Sequence, residues 1–453
     1  MASMASPPIT VHVTLLSGRS ARMVVPPEMS VQDLRLKAGR ELASRIGGLA
    51  LGQENLPEEL TLEKAGIRDG MILSAAVRQV PIGCSRRCAA FALVRGDGTV
   101  VTWGDALSGG DNSAVYQQLV KVKSITASSR AFAALRHDGQ VVSWGDPLRG
   151  GRGGPNSHLV DVVSITASQS AFAAIRSDGR VVTWGDTANG GDSSAVSAGL
   201  QHVQSVSATA FAFAAVRKDG MVEAWGDPRY GGDCRVVQSE LHDVVMIAAN
   251  DFAFAAIRRD GHVVTWGKDD SGGDSRSVQE QLVKIDAIEA SSAAFAAISM
   301  DGRVITWGDS DFGGDSSRVQ HQLLEVQSVQ GARVAFAALR RDGSVVTWGN
   351  RIVGEVQNSR EHTNITLLKA TEFAFAGLKK DGRVVVWGLN IDGGENSAVQ
   401  DRLKEVQQIE ASSGAFCAVR ADGTVVTWGN SDKGAYIKPV EKHLKDVHCM
   451  GGA

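Results

Sequence analysis

Nine tryptophans stand in this chain, each followed by glycine, and successive ones lie 39 to 41 residues apart. Trp103, Trp144, Trp184, Trp225, Trp266, Trp307, Trp348, Trp387 and Trp428 each end a short run such as VVTWG at 181–185, just after an Asp-Gly pair. A period of this length constrains the fold more than any other feature. It denotes a repeat architecture, in which one unit cannot hide its own apolar faces and must stack on its neighbours.

Residues 166–206 show one unit. The runs AFAAIR and VVTWG are separated by SDG, and Asp-Gly between two such runs predicts a β-hairpin, because glycine accepts the positive φ of the tight turn. A third strand is predicted at HVQSVSA, 202–208. Between the second and third strands, Val196 and Leu200 stand four apart, as do Val115/Leu119, Val237/Leu241 and Val278/Leu282. That spacing puts both side chains on one face of a helical turn. Antiparallel sheets stacked face to face around an axis make a β-propeller. The fold class is therefore mainly β.

The two chain ends bear on closure. LKDVHCMGGA at 444–453 matches LLEVQSVQGA at 323–332 without a gap, whereas VPIGCSRRC before the first hairpin is a poor copy of that strand. The expectation is that Val447–Met450 completes the sheet begun by Phe91, closing nine units over 82–453 into one ring. An open or spiral stack is the alternative.

DGRVVTWG and the pattern VxSIxAS resemble the repeats of the regulator of chromosome condensation family, in a compact three-stranded form. Two departures matter. The family's G-Q-L-G after the Trp-Gly strand is GGDSS here, and its histidine-bearing strand reads ASSRAFAAL at 127–135, with Phe132 in the histidine region. The guanine-nucleotide exchange activity that this resemblance implies is not carried over to the present residues.

Residues 8–79 do not repeat. Ile9, Val11, Val13 and Leu15 alternate, then Ala21, Met23 and Val25, which predicts a hairpin. Ser30 with Asp33 forms an N-terminal capping pattern, and Val31, Leu34, Ala38 and Leu42 share one helix face. The order hairpin, helix, strand, loop, strand, with LTLEKAGIRDGMILSAAV at 60–77, resembles the ubiquitin-like β-grasp fold. The resemblance places that family's binding patch on Leu49, Ala50 and Ala76. The two alanines offer little apolar area, and no terminal Gly-Gly follows, so conjugation to other proteins is not expected.

A net charge of −3 gives no global attraction to nucleic acid or membrane. No run approaches the length of a membrane span, and the N-terminus lacks a signal-peptide pattern. Five scattered cysteines (Cys84, Cys88, Cys234, Cys417, Cys449) read as free thiols of a reducing compartment. The expected location is cytoplasmic or nuclear.

Arg95, Arg136, Arg176, Arg217, Arg258, Arg340, Lys379 and Arg420 each precede an Asp-Gly turn with one residue between. They would line one rim as a basic ring for an acidic partner, or pair locally with the turn aspartates. Asp309, Asp311 and Asp315 suggest a calcium loop but lack its spacing, and capping by Asp315 is the preferred reading. No catalytic constellation, metal site or cofactor motif is found, so the chain is expected not to be an enzyme and to need no cofactor. The function expected is a protein-interaction scaffold or adaptor. It would use the propeller rims and the β-grasp domain, and by resemblance it belongs to ubiquitin-related regulation. The alternative is a guanine-nucleotide exchange factor, or a regulatory subunit or fragment of a ubiquitin ligase.

Overall fold

The computed structural model describes residues 7–15, 20–42, 46–52, 54–77, 79–151, 159–354, 362–444 and 447. The N-terminal segment forms β1 (Ile9–Leu15), β2 (Ser20–Val25), α1 (Val31–Glu41), β3 (Ile46–Leu51), β4 (Glu54–Asn55) and β5 (Met71–Val77). The sheet order is β2-β1-β5-β3-β4, and β1 pairs with β5 in parallel. Ser30 Oγ accepts from Asp33 N–H at 3.0 Å, which starts the helix where the capping pattern predicts. Val31, Leu34, Ala38 and Leu42 are buried against Val11, Val13 and Leu73, so the predicted helix face is the one that packs on the sheet.

The rest of the chain forms nine three-stranded antiparallel sheets among the described residues. The first consists of β6 (Ile82–Gly83), β7 (Ala90–Val94) and β8 (Val100–Gly104). The second, Val122–Ala127, Ala131–Arg136 and Val141–Gly145, sets the pattern for the others. The first strands pack against one another from sheet to sheet and are the inner ones. In the second to ninth sheets the middle strand, AFAAIR or a variant, is buried up to its last residue, which is partly exposed, and in the first sheet β7 is buried throughout. Small alanines there let neighbouring sheets approach, and the result is a mainly β, propeller-like stack.

Within each sheet a middle-strand Phe stacks on the Trp of the outer strand, as in Phe254–Trp266 with ring centroids 5.0 Å apart. These nine Phe side chains are among the largest fully buried ones. Eight of the nine Trp side chains also do something that their spacing does not reveal. The indole N–H crosses to the preceding sheet and donates to a loop carbonyl, as Trp225 Nε1 does to Gly190 O at 3.0 Å. Trp387 has no such acceptor among the described residues.

Gly190 shows why these loops begin with a glycine pair. Its φ is +90°, and a Cβ there would lie 2.5 Å from Phe213 of the next sheet. Only glycine combines that conformation with that approach.

The helical turns take the 3-10 form. Ser194–Val196, Gln279–Gln281 and Gln320–Gln322 are three-residue 3-10 turns, and Ser397–Arg402 is a longer one. Leu200, Leu241 and Leu282 are buried as expected, with Val196, Val237 and Val278 partly buried beside them. A second 3-10 turn directly follows most Trp-Gly strands, such as Thr187–Asn189 capped by Asp186.

Closure is corrected in one respect. The strand beside β7 is Ile82–Gly83 from the N-terminal side, at the place expected for Val447–Met450. Val447 N–H donates to Gly423 O at 3.3 Å, the bond that Val122 gives Gly98. Val447 therefore stands at the first position of the inner strand, and residues 448–453 lie outside the described residues. Pro81 lacks a donor, and Gly83 meets Ile125 where any Cβ would lie 2.4 Å away. These two residues hide the alternation that would mark the segment as a strand. The ninth sheet still packs on the first: Trp103 Nε1 donates to Gly434 O at 3.0 Å. Phe91 and Trp103 share a core with Cys417, Val425, Leu444 and Val447.

Candidate interaction surface

The hairpin tips and the post-tryptophan turns lie at opposite ends of the strands, which gives the stack two distinct rims. At the hairpin rim the basic residues are held by their own turns. Arg136 pairs with Asp138 at 2.8 Å, Arg217 with Asp219 at 2.7 Å, Arg258 with Asp260 at 3.0 Å and Arg420 with Asp422 at 2.8 Å. Arg95–Asp97 and Arg340–Asp342 are looser, at 3.5 and 3.6 Å. Arg176 lies between Asp161 and Asp178. Hydrogen bonds from Thr99 and Thr424, with Arg95 and Arg420 beside them, outweigh desolvation and hold the Asp97 and Asp422 carboxyls below their ordinary value. The rim thus carries neutral pairs, and pairing of this exposed kind leaves little net field. Lys379 ends the middle strand of the eighth sheet.

The β-grasp patch is not assembled as expected. Leu49 is 1 % exposed and turns into the core, because β3 is covered by the helix on that side. Ala50 is half-buried, and the Ala76 side chain lies outside those described. The aspartates 309, 311 and 315 do not converge on a cation. Asp309 caps the turn Ser310–Phe312 by accepting from Asp311 N–H at 2.9 Å. Asp315 accepts from Ser317 N–H at 2.9 Å and caps no helix, so the capping role assigned to it belongs to Asp309. No group of three or more potential metal ligands occurs among the described residues.

Cys84, Cys88, Cys234 and Cys417 are free thiols. Burial pushes Cys88 up to about 12 and Cys234 up to about 11, so these thiols stay protonated and poorly reactive at neutral pH. Cys449 lies outside the described residues.

The other rim carries a feature that the sequence reading passed over. The middle residue of each post-tryptophan turn points outward. In four sheets it is a large aliphatic residue: Leu107, Leu148, Ile352 and Ile391, between 63 % and 81 % exposed. These belong to the first, second, seventh and eighth sheets. In ring order, with the ninth between eighth and first, they form one arc across the seam. The ninth sheet has Asp432 at the tip and contributes exposed Tyr436 beside it. The same position reads Ala188, Arg229, Asp270 and Asp311 in the third to sixth sheets.

Two clefts lie within the apolar arc. One, of about 700 Å³, lies between Trp103 and Asp105 on one side and Lys433, Tyr436 and Pro439 on the other. The second, of about 550 Å³, runs between Ile391 and Tyr436. The signal was present in the sequence as the residue three after each Trp-Gly glycine. It is visible only once the turns are known to share a rim.

No protein-family model matches this chain, and no curated protein matches it. Among solved structures it is similar to Prp20p from Saccharomyces cerevisiae, at 14% identity over 75% of this chain and 91% of that one, with a TM-score of 0.42. It is similar to the CRINKLY WD40 ectodomain of the Arabidopsis thaliana receptor kinase ACR4, at 16% identity over 68% and 94% of the two chains, with a TM-score of 0.37. Human WBSCR16 matches at 14% identity over 79% and 89%, with a TM-score of 0.36. No helix among the described residues is long and apolar enough to cross a membrane.

Proposed function

We propose that this chain is a non-catalytic protein-interaction scaffold: a closed nine-bladed propeller carrying an N-terminal ubiquitin-like domain, which docks protein partners on the rim of the post-tryptophan turns. The observation that carries the reading is the apolar arc of Leu107, Leu148, Ile352 and Ile391, exposed at equivalent positions of two pairs of neighbouring sheets that flank the ninth. Aliphatic side chains at such tips stabilise nothing inside the fold. Exposed apolar groups gathered on one rim mark contact sites, and the clefts beside Tyr436 provide concave seats for anchoring side chains. The β1–β5 parallel pair with α1 supports the ubiquitin-like reading and, with it, a role as adaptor in ubiquitin-related regulation.

The test is an affinity capture with the full chain, comparing two quadruple variants. Leu107, Leu148, Ile352 and Ile391 are changed to Glu in one; Ala188, Arg229, Asp270 and Asp311 are changed to Ser in the other. The first is expected to lose the partners that the wild type retains, and the second to keep them. Retention of the same partners by both variants rejects the arc as the docking surface. Accelerated nucleotide release from a small GTPase would instead favour the exchange-factor alternative.

A further inference from the structure

The end of the axis at the post-tryptophan rim is ringed by a circle of backbone hydrogen bonds. Ser129 N–H donates to Gln169 O, Gln169 to Ala210, Ala210 to Asp251, Asp251 to Ser292, Ser292 to Arg333, Arg333 to Glu372, Glu372 to Ser413 and Ser413 to Cys88, all at 2.8–3.1 Å. The circle stops there, because Cys88 N–H turns back to Ser85 O at 3.0 Å. The cause is a two-residue insertion. From the inner strand to the middle strand the first sheet runs from Gly83 to Ala90, where the second runs only from Thr126 to Ala131.

The longer loop carries Arg86 and Arg87, and both side chains cross to other sheets. Arg87 donates through Nε (3.1 Å) and Nη2 to Asp251 Oδ1 of the fifth sheet. Arg86 Nη1 donates to the carbonyls of Gly331 (3.1 Å) and Ala332 (2.8 Å) of the seventh. Gly331 is held close to the sixth sheet, since a Cβ there would lie 2.1 Å from Ala290 O, so these carbonyls sit on tightly packed backbone. Glu289 and Glu372 add negative charge around Arg86. The acceptors are therefore one carboxylate oxygen, two consecutive backbone carbonyls and the nearby carboxylates of Glu289 and Glu372. A planar guanidinium with five fixed donors meets such a set, whereas a compact ammonium satisfies only part of it.

We propose that the axial mouth is a guanidinium-recognition site that Arg86 and Arg87 occupy in cis, and that the ligand class it takes in trans is an Arg-Arg segment of a partner peptide. The loop is a built-in occupant, and the Arg87–Asp251 pair remains partly open to solvent at the rim, so the Asp251 end of the site is reachable from outside, whereas the Arg86 end is buried. The inference does not depend on the apolar arc, because its first ligand is part of the chain.

The experiment uses the full chain with Arg86→Ala and Arg87→Ala together, probed by calorimetry and thermal unfolding with acetyl-Ser-Arg-Arg-amide and its Lys-Lys counterpart. The double variant is expected to melt lower than wild type. It should bind the Arg peptide at least about tenfold more tightly than the Lys peptide, and recover part of the lost melting temperature only with the former. Adding Asp251→Asn should remove that preference. A folded double variant that binds neither peptide, or both alike, overturns the proposal, as does wild type binding the Arg peptide as well as the variant does. Should the double variant not fold, the exchange Arg87→Asp with Asp251→Arg replaces it. Recovery of melting temperature relative to either single change supports recognition at this pair, and no recovery overturns it.

Discussion

Between the fourth and fifth sheets, the continuous strand Val244–Ala249 ties back to the preceding hairpin through Val244 N–H to Gly220 O. Trp266 donates there to Gly231 O. Between the ninth and first sheets the same places are filled from two ends of the chain. Val447 bonds to Gly423, Ile82–Gly83 supply the strand, and the Gln408 amide brackets Val80 by accepting from its N–H (2.8 Å) and donating to its carbonyl (2.9 Å). Ser205, Ser328 and Leu367 occupy the position of Gln408 in other sheets. An interior interface is thus specified by the repeat itself. The seam relies on side chains that no other unit carries, and on chain ends whose association closes a long loop with its entropic cost. The seam is accordingly the place where the ring should open first.

The largest effect is expected from the buried aromatic pairs, taken one on each side of the comparison. Phe254→Ala inside the ring and Phe91→Ala at the seam should each cost about 4 kcal/mol in urea unfolding. Hydrogen exchange should then show early opening of the first and ninth sheets only in Phe91→Ala; equal protection in both variants breaks the distinction. Next come the loop glycines. Gly190→Ala and its seam counterpart Gly434→Ala force a side chain into a positive φ against Phe213 and Phe91, at about 3 kcal/mol each. A seam that adapts more easily would show as a smaller loss for Gly434→Ala.

Gln408→Leu strands the N–H and carbonyl of Val80, which is buried, and should cost about 2 kcal/mol. Its signature is faster exchange of the Val80 amide with little change in the fourth and fifth sheets.

The smallest effect is a pH dependence across the axis. Burial would raise the Asp251 carboxyl, but Arg87 outweighs burial and holds it below its ordinary value. The stability that it contributes is therefore fully present above about pH 4, the unfolded value, and is lost as pH falls through the folded one. Asp251→Asn should flatten that acid limb in melting curves. Glu289 runs the other way: burial raises its carboxyl, with Arg86 opposing. Its contribution is largest at acid pH and declines as pH rises from about 4 through the raised value.

Much of this molecule was legible beforehand because its rules are local. Asp-Gly turns, β-branched runs and the face Val31/Leu34/Ala38/Leu42 each depend on neighbours within a turn or a hairpin. The errors have physical causes. Leu49 looked available because the resemblance supplied a patch without the burial of this strand. Asp315 looked like a cap because the spacing cannot distinguish a braced turn from a helix start. The apolar arc is divided between two pairs of repeats far apart in the sequence, each repeat bearing one Leu or Ile.

The sequence alone determined the module: its length, its three strands, its Phe–Trp core and its need for neighbours, since every copy restates the same short-range preferences. Only the tertiary structure decided how the first and last modules meet, which segment supplies the missing inner strand, and that two arginines bridge the axis. Those contacts join residues such as Val80 and Gln408, which are 328 positions apart. They depend on the curvature accumulated over the whole stack, which no single repeat contains.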